Sequence, residues 1–215
     1  MWRSATVYTQ AQLELMWNSV AYRDCRKFAF SDGKHWYHPD QHFDDIDDFA
    51  KFIRCRGISD VHAKPLENNA GREWVIDVDV EAADETELNV KIKVAAATMS
   101  NFFGDNIARI MHSGNRGIHV WLRIDRFPMH ASKQYREKYY KVFVPPKELD
   151  ATTDLPEGCF ALAYRKAVQE ISECRDRPLL SFWPTVDKHV FCNLTQIRVP
   201  HSYNFKGKKF SKQLS

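Results

Sequence analysis

Glu73-Trp74-Val75-Ile76-Asp77-Val78-Asp79-Val80 is the stretch that decides how this chain folds. Side chains alternate across a β-strand, so Trp74, Ile76, Val78 and Val80 share one face, and Val75, Asp77 and Asp79 share the other. The apolar face must bury. The opposite face then holds two like charges side by side, which raises the pKa of one carboxyl unless a cation neutralises both. A hard divalent ion such as Mg²⁺ is the usual partner of such a pair. An edge strand with two solvated carboxylates is the other reading, and this segment alone leaves both open.

Around this strand the chain reads as an ordinary globular protein of 215 residues, 44% apolar and 27% charged. Its apolar runs fall short of the roughly 20 residues a membrane span needs. The N-terminal Met1–Thr6 has no apolar signal region, so secretion is not expected. The five cysteines, at 25, 55, 159, 174 and 192, are scattered and odd in number, which points to a reducing intracellular compartment. Net charge is only +3. Its distribution is more informative. Lys133 to Lys147 interleaves cations with aromatics, and Lys206 to Lys212 is basic again. Such runs suit a single-stranded nucleic-acid path or form a solvated face.

Helical periodicity predicts four helices. Leu13, Met16, Trp17 and Val20 follow Thr9 as a cap; Ile46, Phe49, Ala50 and Ile53 run from near Asp44 to Gly57. Leu88, Ile92, Ala95, Ala96, Met99 and Phe103 end at Gly104, and Phe160 to Ile171 makes the fourth. Strands are predicted at 73–80, 118–124 and 195–199, with weaker candidates at 140–144 and 179–183. The block 126–158, rich in Pro, Lys and Asp, reads as a surface excursion within one domain spanning 1–215. The expected fold class is α/β (α+β), a mixed central sheet flanked by helices and carrying the carboxylates.

A second constellation is His112-Ser-Gly-Asn-Arg-Gly-Ile-His119, a glycine-rich turn running into a strand. Gly114 and Gly117 admit backbone conformations in which successive N–H groups form a phosphate-binding nest. Ser113 adds a hydroxyl, Arg116 a charged fork and His119 a further donor. With Ile118, Val120, Leu122 and Ile124 on the apolar face, His119 points the other way, to meet Asp77 and Asp79 if the two strands pair. A plain hairpin turn with a surface Arg is the alternative. The third piece is Asp187, followed by Arg198-Val-Pro-His-Ser-Tyr-Asn-Phe-Lys206-Gly207. It offers a third carboxylate, or one loop aspartate among many, with Arg198, Ser202, Asn204 and Lys206 able to close a nucleotide pocket.

Taken in order, the three pieces resemble the small catalytic subunit of archaeal and eukaryotic DNA primases. In that family an Asp-x-Asp strand precedes a Ser-Gly-x-Arg-Gly-x-His turn, and a later Asp precedes a Lys/Arg-x-Pro-x-Ser element. The resemblance runs from about Tyr22 to Lys208 and is greatest to the short primases of baculoviruses and related insect viruses. It implies a primase-like catalytic fold that synthesises RNA primers on single-stranded DNA from nucleoside triphosphates, with Mg²⁺ or Mn²⁺. It makes Asp77, Asp79 and Asp187 the metal ligands, and Ser113, Gly114, Arg116, Gly117, His119, Arg198 and Lys206 nucleotide contacts. Asp60 matches an Asp placed near the nucleotide. It further implies an accessory large-type subunit as heterodimer partner and work in the host nucleus, with no membrane association. Lys27 stands where the family has Glu, Asn204 where it has His, and Gly207 comes one residue early. The family's cysteine cluster is missing between Asp79 and Ser113, so no zinc is expected. Competing readings are a template-dependent polymerase of the same superfamily, a catalytically inactive single-strand-binding module and, remotely, an Asp-x-Asp glycosyltransferase.

Overall fold

The computed structural model describes residues 7–175 and 177–214. The sequence reading of Met1–Thr6 therefore lies outside the described residues. In chain order the elements begin with α1 (Gln10–Asn18), β1 (Phe28–Ser31), β2 (Trp36–Tyr37), α2 (Ile46–Arg56) and β3 (Asp60–Ala63). Next come β4 (Val75–Asp79), α3 (Glu85–Phe103), β5 (Ile107–His112), β6 (Gly117–Leu122), α4 (Lys133–Tyr140) and α5 (Phe160–Glu170). The chain closes with α6 (Lys188–Cys192), β7 (Ile197–Arg198), β8 (Tyr203–Asn204), β9 (Lys209–Phe210) and β10 (Lys212–Gln213). Helices and antiparallel pairings together make it a mixed α/β protein. No helix among the described residues is long and apolar enough to cross a membrane. The fold divides into two compact units. One holds the chain up to Arg72 with Met111–Asn115 and Leu194–Gln213; the other holds Glu73–Ile110 and Arg116–Asn193.

In the first unit the strands run in the order β2-β1-β3-β7, and β10 pairs with Met111 and His112 at the end of β5. Helix α1 begins, and α2 begins and ends, as their sequences direct, while Val20 of the first stripe lies just beyond α1. Thr9 and Gln12 form a reciprocal capping box, which satisfies two N–H groups that the first turn of α1 leaves unpaired. Asp45 caps α2 by accepting from the N–H groups of Asp47 and Asp48, and Gly57 ends it in the left-handed region at φ +60°. Their apolar stripes meet Phe28, Phe30 and Phe43 in an aromatic core where Trp17 and Phe49 lie 5.1 Å apart. Since Phe28 and Phe30 take the core face, Ala29 and Ser31 take the other, beside Asp60 and His62 of β3.

The second unit is built on β4. Trp74, Ile76, Val78 and Val80 are all buried with Ile118, Val120 and Leu122 of β6, as the alternation predicts. Helix α3 covers this layer and packs along α5. Asp84 caps α3 through the N–H of Glu87, whose own carboxylate accepts from Ala83. That backbone bond, helped by Arg177, holds the Glu87 carboxyl down at about 2.

Three expectations change here. The candidate strands at 140–144 and 179–183 are 3-10 turns, at Lys141–Phe143 and Leu179–Phe182, each burying one phenylalanine. Ile124 lies beyond the end of β6 and is exposed, because Arg123 and Asp125 form an ion pair as the chain turns away. The cation–aromatic run from Lys133 is in part a core helix. Arg136 of α4 is fully buried, 4.7 Å from the Trp74 ring, and donates to the carbonyls of Ala131 and Met129. Desolvation lowers its pKa to about 10, so it stays charged at neutral pH. Arg136→Ala would leave both carbonyls without this donor and a void beside Trp74. The expected loss is about 3 kcal/mol in chemical denaturation; a loss below about 1 kcal/mol would mean that the helix is not anchored this way.

Candidate active site

The pairing of β4 with β6 sets Asp77 opposite His119 and Asp79 opposite Gly117. Directly paired residues point to the same face, so the imidazole joins the carboxylates as the alternation anticipates. Oδ1 of Asp77 lies 3.5 Å from Nε2 of a buried His119. On its other edge β4 meets a short extended stretch through the bridge Val78–Val186, and the N–H of Asp187 donates to the Asp77 carbonyl at 2.8 Å. This puts Asp187 directly opposite Asp77. His119, Asp77 and Asp187 thus form a row across three chain segments, with Asp79 one step further along β4. By the same pairing Thr185 stands opposite Asp79, a placement no local pattern in the sequence announces.

Asp187 also begins α6, its Oδ1 accepting from the N–H of Val190 at 2.9 Å. That short bond orients the carboxylate. Asp77 is half-buried and Asp79 exposed, so the row runs from shielded to open. Among the described residues no three His, Cys, Asp or Glu side chains converge into a ready-made metal cage. The donors in the row are nevertheless hard carboxylate oxygens. That chemistry fits Mg²⁺ or Mn²⁺, which take one or two carboxylates and complete their shell with waters and substrate phosphates.

The glycines of the turn act differently from the expected nest. A Cβ on Gly117 would sit 2.0 Å from the Val78 carbonyl oxygen, so glycine is required there for close strand approach. Gly114 does adopt φ +81°, but its N–H donates to Nδ1 of His112 and that of Asn115 to Oγ of Ser113. Those two donors are committed within the turn. Within the first unit the turn is instead crossed by the loop that follows β8. A Cβ on Gly207 would lie 2.0 Å from the Gly114 carbonyl oxygen, which explains a glycine directly after Lys206. Asn204 ties the crossing together, donating to the Ser113 carbonyl and accepting from the Gly207 N–H. The sequence marked Asn204 as one of four residues able to close a nucleotide pocket and as a departure from a family pattern. Its side chain is the brace of the turn.

Asp60 and Arg198 also belong to the first unit, and each is the other's partner. Arg198 Nη1 donates to Oδ1 of the buried Asp60 at 2.7 Å and to the Tyr203 carbonyl at 2.6 Å. Asp60 accepts in addition from Ser59 Oγ and the Phe205 N–H. Beside them the buried Tyr8 hydroxyl bonds the Ser59 carbonyl and receives the N–H of Tyr203; burial pushes its pKa up to about 12. Lys27, at the position where the family has Glu, is bonded to the carboxylates of Asp40 and Glu67. Lys206 and Arg116 are exposed. The ionisable candidates therefore fall into two sets: the carboxylate row with His119 and Arg116 in one unit, and the braced turn with Asp60 and Arg198 in the other.

Comparison with known proteins adds two relatives. The chain is 40% identical over 215 residues to the DNA primase of Autographa californica nuclear polyhedrosis virus, covering 95% of this chain and 80% of the relative. It is 43% identical over 216 residues to late expression factor 1 of Orgyia pseudotsugata multicapsid polyhedrosis virus, covering 97% of this chain and 88% of the relative. No family model matches the sequence.

Proposed function

From the premise that the chain belongs to the family of baculoviral DNA primase and late expression factor 1, we propose that it is a DNA primase catalytic subunit. It makes short RNA primers on single-stranded DNA from nucleoside triphosphates by nucleotidyl transfer. The observation that carries this reading is the row His119–Asp77–Asp187 with Asp79 beside it, assembled by register from three separate segments.

In this reaction a 3′ hydroxyl attacks the α-phosphorus of an incoming nucleotide, the bond to the bridging oxygen breaks, and pyrophosphate leaves. Divalent ions, if held on such carboxylates, would supply charge stabilisation to the transferring phosphate. Asp77 and Asp79 are the residues to hold them, with Asp187 oriented by its cap on α6. His119, seated between β-strand neighbours and facing Asp77, presents a fixed donor to a phosphate oxygen. Arg116, exposed next to Gly117, provides a bidentate fork for the same tail. Ser113, Arg198, Lys206 and Asp60 keep the nucleotide-contact roles that the resemblance implies, and Gly114 and Gly117 shape the turn that carries Ser113 and Arg116. A large-type accessory subunit and the host nucleus complete the proposal.

The decisive assay incubates purified protein, with and without an accessory subunit, with single-stranded template, labelled ribonucleotides and Mg²⁺ or Mn²⁺. Oligoribonucleotide products that depend on metal and template are expected; their absence under every condition refutes primer synthesis. A primed template with deoxynucleotides in parallel separates a primase from a polymerase that only extends. His119→Asn is expected to lower kcat/KM for the incoming nucleotide by about 10²-fold, the scale of losing one positioned donor. Unchanged kcat/KM would remove His119 from the site.

A further inference from the structure

Helix α4 carries a pattern that its own packing does not use. It continues directly into the 3-10 turn Lys141–Phe143, so residues three and four apart line up along its length. Arg136, Tyr140 and Phe143 form the stripe that faces inward. Arg136 lies over Trp74, and the rings of Tyr140 and Phe143 lie 6.2 and 5.3 Å from that of Phe191. Tyr135, Tyr139 and Val142, at positions i, i+4 and i+7, form a second stripe, prolonged by Val144. These four are 42, 44, 40 and 54% exposed. They are four of the eleven large apolar residues exposed among the described residues, gathered within ten positions. Single exposed apolar side chains are ordinary, whereas a stripe of them at helical spacing is a surface on which a second helix packs.

The charge beside the stripe is of one sign. At 100° per residue Lys138 and Lys141 flank it on the side away from the inward stripe. Both are exposed, and neither forms an ion pair among the described residues. The segment Lys133 to Lys147 holds five cations and one carboxylate, so its exposed side is net positive. Basic helices also bind nucleic acid, but this stripe is built otherwise. The Tyr135 and Tyr139 rings lie 5.0 Å apart with their hydroxyls joined at 3.1 Å, and both meet Trp74 edge to face. No base enters between them. Val142 and Val144 have no ring on which a base could stack. Trp74 stands on the core face of β4, opposite to Asp77, so the helix lies behind the carboxylate row.

We propose that this face docks an acidic amphipathic helix of a partner protein. Its apolar side chains would pack on Tyr135, Tyr139 and Val142, and its carboxylates would pair with Lys138 and Lys141. From Tyr135 to Val142 the stripe spans about 10 Å, or about two turns of such a helix. The inference goes beyond the primer-synthesis reading and does not depend on it.

Fluorescence anisotropy with the whole chain tests this. The probe is a labelled peptide of about 20 residues, long enough to be helical, with leucines at i, i+4 and i+7 and glutamates beside them. A scrambled peptide of the same composition and a labelled single-stranded oligonucleotide are measured in parallel. The amphipathic peptide is expected to bind about tenfold or more tightly than the scrambled one. Val142→Ser with Val144→Ser, and separately Lys138→Glu with Lys141→Glu, should each weaken it about tenfold or more while circular dichroism is unchanged. Should one pair of substitutions alter the fold, the other decides. Equal binding of the two peptides, binding of neither, or no effect of the substitutions overturns the assignment. A loss of oligonucleotide affinity as large as the loss of peptide affinity would make the face a nucleic-acid path and overturn it too. No catalysis is measured, so the primer-synthesis reading stands or falls separately.

Discussion

Asp77→Asn is expected to cut primer synthesis by about 10³-fold or more, equivalent to about 4 kcal/mol of barrier, while the protein stays folded. The two effects separate because of where Asp77 sits. Its backbone carbonyl, not its side chain, accepts the N–H of Asp187, and its neighbours on the core side are buried apolar residues. Asparagine keeps the volume and an oxygen facing His119, so packing and register are retained. What disappears is the negative charge on which a divalent ion depends. Without metal, asparagine trades the charge beside His119 for relief from the neighbouring carboxylates, so the variant should stay within about 1 kcal/mol of the parent. With Mg²⁺ or Mn²⁺ the two diverge: the parent gains stability by mass action and the variant does not. Primer synthesis and thermal unfolding with and without metal read both effects. Activity within about tenfold of the parent, or an equal metal-induced rise in melting temperature in the two proteins, would remove Asp77 from the metal site.

Gly117→Ala is expected to cost about 3 kcal/mol or more and to abolish activity with it. The methyl would sit 2.0 Å from the Val78 carbonyl oxygen, well inside any van der Waals contact, and that atom is backbone of a fully buried residue of β4. No side-chain rotation can relieve the clash. The strands must part at Asp79, the residue paired with Gly117. Gly104→Ala is the control. Its added Cβ would meet nothing within 4 Å, so its cost is confined to the backbone strain of φ +50° and ψ −128°, about 1–3 kcal/mol. Urea unfolding of the two variants measures the difference. If they lose equal stability, the tight approach of β4 and β6 is not what requires glycine.

Much of the fold was legible because its signals are local. Apolar residues at helical spacing, Asp45 before the Ile46 stripe and Gly57 after it define α2 whatever surrounds it. The alternation in β4 places Trp74 and Val78 in the core and Asp77 opposite them without knowledge of any partner. The failures were equally physical. Val142-Phe143-Val144 and Leu179 to Trp183 are short apolar runs, which strands and 3-10 turns share, and only packing against Phe160 and Tyr164 decides between them. Arg136 looked like a surface charge because nothing local shows that two carbonyls and a tryptophan face wait to receive it. The sequence explains the glycines of the phosphate-like turn by its conformation alone, whereas each also meets distant backbone: Lys209 at Gly114 and Val78 at Gly117.

The sequence by itself determined that two aspartates share the polar face of a buried strand, that a histidine strand follows a glycine turn, and that these motifs belong to a primase-like pattern. Each of those statements depends on periodicity or on residue order, which are properties of neighbouring residues. Only the tertiary structure decided that Asp77 stands between His119 and Asp187, and that Gly117 leaves Asp79 without a side chain across from it. Those relations are set by strand register and by backbone approaching backbone across long stretches of chain. They come from fitting whole elements around shared cores, and no local pattern of side chains encodes that fit.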